Sequence, residues 1–161
     1  PSMFGLMALV PQVVDAVSVP VIAAGGLMDG RGIAAVLKLG ASAAQLGTAF
    51  LATPESKAQD VHKSLLVSGD HEGTKITRAF SGRPARGLVN TMMDMLDKNP
   101  ESILPFPYQH ALTSKVRAEA ARQGKAEYLP MWAGQGAGMV RNQNTEEIIL
   151  ALAEGLEIAL R

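Results

Sequence analysis

The sequence of 161 residues contains no cysteine, no excess of charge of either sign and no long apolar run. The absence of cysteine excludes a disulfide framework, a thiolate nucleophile and a cysteine-based zinc site, and it is typical of a cytoplasmic protein. With 15 basic and 15 acidic residues the net charge is 0, so global charge favours neither nucleic acid nor an anionic membrane surface as a partner. No apolar stretch approaches the roughly 20 residues that a membrane helix requires.

The residues that are present favour a packed globular protein. Their hydrophobic share is 47%, enough for a core in one domain or in part of one. The chain opens with "PSMFGLMALV", which lacks an initiating methionine and already lies inside an apolar-periodic segment. We therefore expect the sequence to be a portion of a longer chain.

The first 51 residues follow the pattern of a parallel βαβ unit. Residues 4–17 predict a helix that Pro11 kinks or divides, and the apolar run 19–26 predicts a strand that is covered on both faces. A helix then begins at Asp29 or Gly30 and ends near Gly40, and residues 42–51 form the next strand. Strand, helix and strand within about 30 residues indicate an α/β fold.

The rest of the chain has no βαβ period. The patterns predict a polar helix over 54–70, a single strand over 74–80, a loop over 81–90 and further helices over 91–98, 114–124 and 144–160. Asn144 or Thr145 is the expected N-cap of the last helix, ahead of Glu146 and Glu147.

Glycine ends both strands of the βαβ unit, in the pairs Gly25-Gly26 and Gly47-Thr48. Ligands of parallel α/β folds lie at the carboxyl ends of the strands, and a glycine lets backbone N–H groups approach a phosphate closely. The two pairs could form a two-lobed anion cradle to which the Thr48 hydroxyl adds a donor. The alternative is that these glycines only make tight turns.

Four segments in this order resemble the FMN-dependent nitronate monooxygenases, also called 2-nitropropane dioxygenases. The first is "VPVIAAGGLMDGRGIAAVLKLGASAAQLGTAFL", which is also similar to the phosphate-binding segment of other flavin barrels, including FMN-dependent enoyl-ACP reductases. The others are "TRAFSGRPARGLVN", "PYQHALTSKVR" and "LPMWAGQGAG". Together they span nearly the whole chain and are more specific than the first alone.

The resemblance implies the C-terminal portion of a TIM (β/α)8 barrel. Residues 1–51 would hold strands 7 and 8 with the phosphate-binding loops, 52–131 a helix-rich inserted domain that covers the flavin, and 132–161 the return to the barrel and its closing helix. The implied cofactor is FMN, and no metal is expected. The family's FMN-binding positions match Gly26, Gln45, Leu46, Gly47 and Thr48. Gly25 lies beside them and is included as a sixth candidate residue.

The resemblance also implies partners outside this sequence. The N-terminal half of the same barrel would supply the other flavin contacts and the histidine that acts as catalytic base, so no catalytic residue is expected in this chain. The substrates would be a nitroalkane or nitronate and molecular oxygen, and a second copy of the protein is an open alternative as partner. The competing hypotheses are an enoyl-ACP reductase with the same cradle, or a half-barrel that binds phosphate without catalysis.

Several other residues have alternative interpretations. His62, His71 and His110 are interpreted as solvated or structural, since none lies near a glycine pair in the sequence. Arg78, Arg83 and Arg86 could bind a phosphate or carboxylate, although salt bridges within the insertion or to the missing N-terminal half are favoured. The loop of residues 132–138 either borders the flavin or substrate pocket or is a hinge, and the methionines Met92, Met93 and Met95 are interpreted as packing residues.

Overall fold

The computed structural model describes residues 4–161. Its helices are α1 (Leu6–Ala16), α2 (Gly30–Lys38), α3 (Asp60–Ser68), α4 (Thr91–Asp97), α5 (Tyr108–Gln123) and α6 (Thr145–Leu160). Its strands are β1 (Ile22–Ala24), β2 (Ala43–Gln45), β3 (Thr74–Thr77) and β4 (Ala85–Leu88). Short 3-10 helices cover Thr48–Phe50, Pro100–Ser102, Ala126–Tyr128 and Ala137–Met139.

The chain divides into two compact units. The α/β unit joins the chain up to Ser56 to the segment Met139–Arg161, and the hairpin unit comprises Lys57–Gly138. The predicted boundaries of 51/52 and 131/132 lie a few residues away from these. Glu55 stays with the α/β unit because its carboxylate accepts from the hydroxyl of Thr145 at 3.0 Å. Residues 132–138 stay with the hairpin unit because Trp132 pairs with Gly87 in β4.

The βαβ prediction is confirmed in the α/β unit. Strands β1 and β2 pair in parallel, with Ile22 opposite Ala43 and Ala24 opposite Gln45, and α2 connects them. Pro11 lies inside α1, and Gly40 follows α2 with a φ of 97°, as its position as a C-terminal glycine cap predicts. Both strands are shorter than predicted, because a ladder of hydrogen bonds exists only where the two run side by side.

Small and branched side chains form the core of the α/β unit. Val10, Ala23, Leu27, Val36 and Ala41 are buried together, and partly buried residues of α1 and β2 pack around them. The N-terminus of α2 lies against α6, where a Cβ on Gly30 would overlap the main chain of Gly155 and Leu156. The absence of side chains at this crossing therefore allows the two helices to pack main chain against main chain.

The first turn of α6 has a complete set of capping groups. The Asn144 side chain accepts from Glu147 N at 2.9 Å, and the Glu147 carboxylate accepts from Asn144 N at 2.8 Å, which is the reciprocal capping box. Glu55 accepts from Thr145 N at 3.3 Å. Asn144 is therefore the N-cap, one of the two residues expected for that position.

The hairpin unit corrects two predictions made from the sequence. Residues 81–90 were expected to form a loop and 74–80 a single strand, but β3 and β4 pair antiparallel, with Thr74 opposite Leu88 and Thr77 opposite Ala85. The loop prediction was wrong because glycine, proline and arginine suggested irregular structure. Pairing with β3, and with the distant segment that contains Trp132, makes residues 85–88 a strand instead.

Helices α4 and α5 contact the residues that follow β3. Met92 and Met93 are buried with Ala79 and Phe80, which confirms the packing role of these two methionines. Met95 is 57% exposed, so the packing interpretation is wrong for it. Helix α5 starts six residues before the predicted segment, at Tyr108, and Gly124 caps its C-terminus with a φ of 64°.

Candidate phosphate-binding site

The two glycine pairs leave the parallel sheet at the same edge. Because Ala24 pairs with Gln45 at the ends of β1 and β2, Gly25-Gly26 and Gly47-Thr48 follow at the carboxyl ends of neighbouring strands. A 3-10 helix begins at Thr48, directly after the second pair. Loops after two adjacent barrel strands followed by a short extra helix are a common phosphate-binding arrangement. The sequence pattern predicted the neighbouring loops but missed the short helix.

A turn alone explains the first glycine pair. Gly25 has a φ of 126° and Gly26 a φ of 70°, which are conformations that residues with a side chain rarely adopt. Both glycines are exposed, and a Cβ on either would meet no atom within 4 Å. A tight turn is therefore sufficient to account for glycine at both positions.

Gly47 requires a different explanation. Its φ of −112° and ψ of −63° lie in the right-handed helical region, which residues with a side chain adopt. A Cβ at this position would meet no atom of the chain within 4 Å, and the residue is exposed. Neither backbone conformation nor packing against the described residues demands glycine here, whereas close approach of an external group would.

The remaining candidate residues present backbone groups as well as side chains. Leu46 packs against the core of the α/β unit, so only its main chain is available to a ligand at this edge. Gln45 is exposed at the end of β2, and Thr48 is half-buried at the start of the 3-10 helix. The six candidate residues thus offer main-chain amides, one carboxamide and one hydroxyl, a donor set that is suited to a phosphate.

The electrostatics at the start of α2 restrict where an anion can bind. Asp29 caps this helix by accepting from Gly32 N at 3.0 Å, and Arg31 Nε donates to the same carboxylate at 2.8 Å. The hydrogen bond from Arg31 and that from Gly32 hold the pKa of Asp29 below its usual value, so the carboxylate is charged at neutral pH. An anion at this edge is therefore directed to the loop amides and away from the first turn of α2.

A separate groove of about 600 Å³ lies beside α6 in the α/β unit. Apolar side chains of α6, including Ile148 and Leu152, form one wall, and Met28, Arg31 and Arg141 line other parts. None of the six candidate residues lines this groove. The groove is thus distinct from the glycine loops.

The three histidines lie in the hairpin unit. His62 is buried, its Nε2 has no hydrogen-bond partner among residues 4–161, and burial lowers its pKa. His71 Nδ1 accepts from Gly73 N at 3.2 Å, while its Nε2 is buried and unpartnered. His110 is exposed and contacts Arg117 at 3.3 Å.

The three arginines bind backbone and aromatic groups instead of carboxylates. Arg78 Nε donates to Gly82 O at 2.9 Å, and Arg86 Nη1 donates to Thr74 O at 3.0 Å. The guanidinium carbon of Arg83 lies over the Phe106 ring, 4.1 Å from its centroid. Within residues 4–161 none of the three forms an ion pair, so the expected salt bridges are not made inside the insertion, and salt bridges to the rest of the protein stay a prediction.

The loop of residues 132–138 is anchored to the hairpin at its start. Trp132 packs edge-on against Phe80, with ring centroids 5.5 Å apart, and Ala133 N donates to Arg86 O at 3.2 Å. The compact hairpin unit ends at Gly138, the last residue of this loop. Its two interpretations, a pocket border or a hinge, remain predictions.

Residues 4–161 lack two features of other function classes. That range has no helix with the length and apolar character needed to cross a bilayer. The same residues bring together no group of three or more histidine, aspartate or glutamate side chains arranged to hold a metal ion.

Comparison with known proteins gives consistent matches over nearly the whole chain. "Probable nitronate monooxygenase" of Bacillus subtilis (strain 168) is 47% identical over 147 residues, which are 91% of this chain and 41% of that protein. The protein of the same name from Staphylococcus haemolyticus is 40% identical over 158 residues, 98% of this chain and 44% of the relative. The chain thus spans about two fifths of the length of these curated relatives.

Two solved structures also match nearly the whole chain. Nitroalkane oxidase from Streptomyces ansochromogenes superposes with a TM-score of 0.92 at 47% identity, over 98% of this chain and 45% of that one. FabK from Thermotoga maritima superposes with a TM-score of 0.80 at 31% identity, over 99% of this chain and 51% of that one. The sequence model of the nitronate monooxygenase family matches residues 2–155, and the chain belongs to this family.

Proposed function

We propose that the complete protein is an FMN-dependent oxidoreductase that oxidises alkyl nitronates or nitroalkanes, and that this chain supplies the site for the flavin phosphate. Membership of the nitronate monooxygenase family supports the activity. The observation that carries the phosphate site is Gly47, a glycine that faces open space at the carboxyl end of β2 without a conformational or packing requirement for glycine. A phosphate seated against the main chain would account for it.

The six candidate residues would hold the cofactor from one end. Amides of Gly25, Gly26 and Gly47 would donate to phosphate oxygens, and the Thr48 hydroxyl would add a further donor. Gln45 would contribute its carboxamide and Leu46 its main chain, because the Leu46 side chain packs in the core. This anchoring would fix the position of the flavin relative to the substrate, which is the contribution that a protein makes to cofactor chemistry.

Bound FMN would accept electrons from the nitronate, with molecular oxygen as the second substrate. The residues of this chain would bind and orient the cofactor and exclude water from its phosphate end. We assign the base that removes the substrate's α-carbon proton to the part of the protein outside this sequence. None of the three histidines described above follows one of the parallel strands, and each is in the hairpin unit.

The barrel assignment and the N-terminal partner belong to the same proposal. Strands β1 and β2 pair only with each other within the described residues, so each has one edge without a strand partner. Val19 and Ile22 are 65% and 61% exposed although they are apolar. An apolar strand of this kind is normally covered on both faces and paired on both edges, and the remaining strands of a barrel would do both. Residues 52–131 would then be the inserted domain.

The experiment is a pair of measurements on the complete protein. As purified it should show a flavin absorption spectrum and release FMN on denaturation, and it should consume oxygen when an alkyl nitronate is added. A colourless protein that does not bind added FMN would remove the proposal. A flavoprotein that is inactive with nitronates would keep the phosphate site and remove the activity.

Two alternatives have different signatures in the same assays. An enoyl-ACP reductase would oxidise a reduced nicotinamide cofactor in the presence of an enoyl thioester and would need an acyl-carrier partner. Identity to FabK, at 31%, is lower than the 47% identity to nitroalkane oxidase, which favours the nitronate substrate. A non-catalytic half-barrel would bind phosphate without either activity.

A further inference from the structure

We propose a second anion-binding site, in the hairpin unit, formed by Arg83, Phe106, His110 and Arg117. We call these four residues the basic-aromatic patch. Its ligand is a small oxyanion, a carboxylate or a phosphate group, bound by N–H groups of the patch. The site lies outside the six residues proposed for the flavin phosphate and does not depend on that proposal.

A continuous series of contacts joins the four side chains. The Arg83 guanidinium carbon lies 4.1 Å from the centroid of the Phe106 ring, and the Phe106 and His110 rings have centroids 6.4 Å apart. Arg117 Nη2 lies 3.3 Å from His110 Nδ1 and donates to His110 O at 3.0 Å. Phe106, His110 and Arg83 are exposed and Arg117 is half-buried, so solvent reaches the array.

The polar groups of the patch are donors. A guanidinium can only donate, so His110 Nδ1 is the acceptor in its contact with Arg117 Nη2. Arg83 stacks on an aromatic face, an arrangement that leaves the N–H edges of a guanidinium available. The N–H donors of the two guanidinium groups are complementary to a ligand with acceptor oxygens and negative charge.

The positive charges of the patch have no carboxylate partner in the part of the chain that the structure describes. Within the described residues neither Arg83 nor Arg117 forms an ion pair, whereas Arg122 on the same helix pairs with Glu119 at 2.5 Å. Arg117 uses its Nε on Thr113 Oγ1 at 3.1 Å and its Nη2 on His110, which positions the group without neutralising it. Each guanidinium group is thus held in place and keeps a positive charge that attracts an anion.

Buried hydrogen bonds hold the two halves of the patch together. Gln109 of α5, which is 2% exposed, donates to Ala79 O at 2.7 Å and accepts from Leu104 N at 3.1 Å. Thr113 Oγ1, also buried, donates to Phe80 O at 2.7 Å. These bonds fix the turn before Arg83 to the helix that carries His110 and Arg117, so the donors are positioned before a ligand arrives.

Close packing of the same turn restricts it further. Gly82 has a φ of 81°, and a Cβ there would overlap Leu104 O and lie 2.7 Å from Phe106 N. The main chain that precedes Arg83 is therefore pressed against the segment that carries Phe106. A rigid turn that holds an exposed arginine over an aromatic ring favours selective binding of a small anion, because the donor is already in position.

The test is a titration of the complete protein with sodium acetate and, separately, with inorganic phosphate at constant ionic strength. The readout is the NMR signal of the His110 ring in protein labelled at histidine. Saturable shifts with at least one anion are expected. The variants Arg83→Gln and Arg117→Gln should each weaken binding ~10-fold, the loss expected for one charge-assisted interaction.

Arg122→Gln is the matched control, because it removes an exposed arginine of α5 that already has a carboxylate partner, and it should leave binding unchanged. Tighter binding of acetate would identify a carboxylate ligand, and tighter binding of phosphate a phosphorylated one; both support the site. A His110 signal that does not saturate with either anion would overturn the proposal. Equal weakening by all three variants would also overturn it, since it would indicate only general screening of surface charge.

Discussion

Replacing Gly47 by valine should separate phosphate binding from folding. Within the chain the new side chain would start in open space, since no atom lies within 4 Å of a Cβ at this position, and the φ of −112° is accessible to residues with a side chain. The free energy of unfolding of the apoprotein should therefore change by no more than ~0.5 kcal/mol, as for other surface substitutions. With FMN bound, the same side chain would press against the phosphate. An overpacked contact of this kind costs ~1–3 kcal/mol, or about a 5- to 150-fold weaker affinity.

The assay compares FMN with riboflavin, which lacks the phosphate, by fluorescence titration of the apoprotein. Gly47→Val should weaken FMN binding and leave riboflavin binding almost unchanged. Gly5→Val is the control, because Gly5 also has a negative φ, of −70°, and no described atom within 4 Å of a Cβ, but it precedes α1 and follows neither strand. Equal loss of affinity for both flavins, or unchanged FMN affinity in a folded Gly47→Val protein, would refute the placement of the phosphate.

Two further predictions concern stability, measured by chemical denaturation. Gly30→Ala should destabilise the protein by ~1–3 kcal/mol, because its Cβ would overlap the main chain of α6. Gly32→Ala in the same helix should destabilise it less, since the nearest contact of its Cβ is the flexible end of Leu27 at 3.2 Å. Equal effects of the two substitutions would contradict the close packing of α2 against α6. Burial lowers the pKa of His62 below its ordinary 6.5, so the unfolded state takes up the proton first as the pH falls. The free energy of unfolding should therefore decrease as the pH drops below 6.5, and His62→Leu should flatten that dependence; an unchanged slope would show that His62 is not the group responsible.

Local patterns predicted the α/β unit well. The apolar run before Gly25 and the cap at Asp29 are encoded in neighbouring residues, and the structure confirms the parallel strands and the start of α2. The ends of the strands were less predictable, because they depend on which residues find a hydrogen-bonding partner. Asn144, one of two expected caps, is likewise a local signal.

Features that depend on distant contacts could not be predicted. Residues 85–88 become a strand because β3 and the Trp132 segment pair with them, which no local composition reveals. The basic-aromatic patch is a similar case. The sequence indicates a cation at Arg83 and a solvated or structural histidine at His110, but it does not predict the contacts that join them through Phe106. Only the buried bonds of Gln109 and Thr113 bring α5 beside the Arg83 turn.

The same limit applies within the candidate phosphate site. Glycine after both strands was visible in the sequence, but the pattern could not distinguish glycines needed for a turn from one needed by a ligand. Backbone angles show that a tight turn accounts for Gly26, which has a positive φ, and does not account for Gly47.

The most direct measurement of the central claim is a crystal structure of the complete protein with FMN. We predict that the phosphate lies within hydrogen-bond distance, about 3 Å, of the backbone nitrogens of Gly26 and Gly47 and of the Thr48 hydroxyl. A flavin whose phosphate binds elsewhere, with the loops after β1 and β2 in contact with solvent only, would contradict the account.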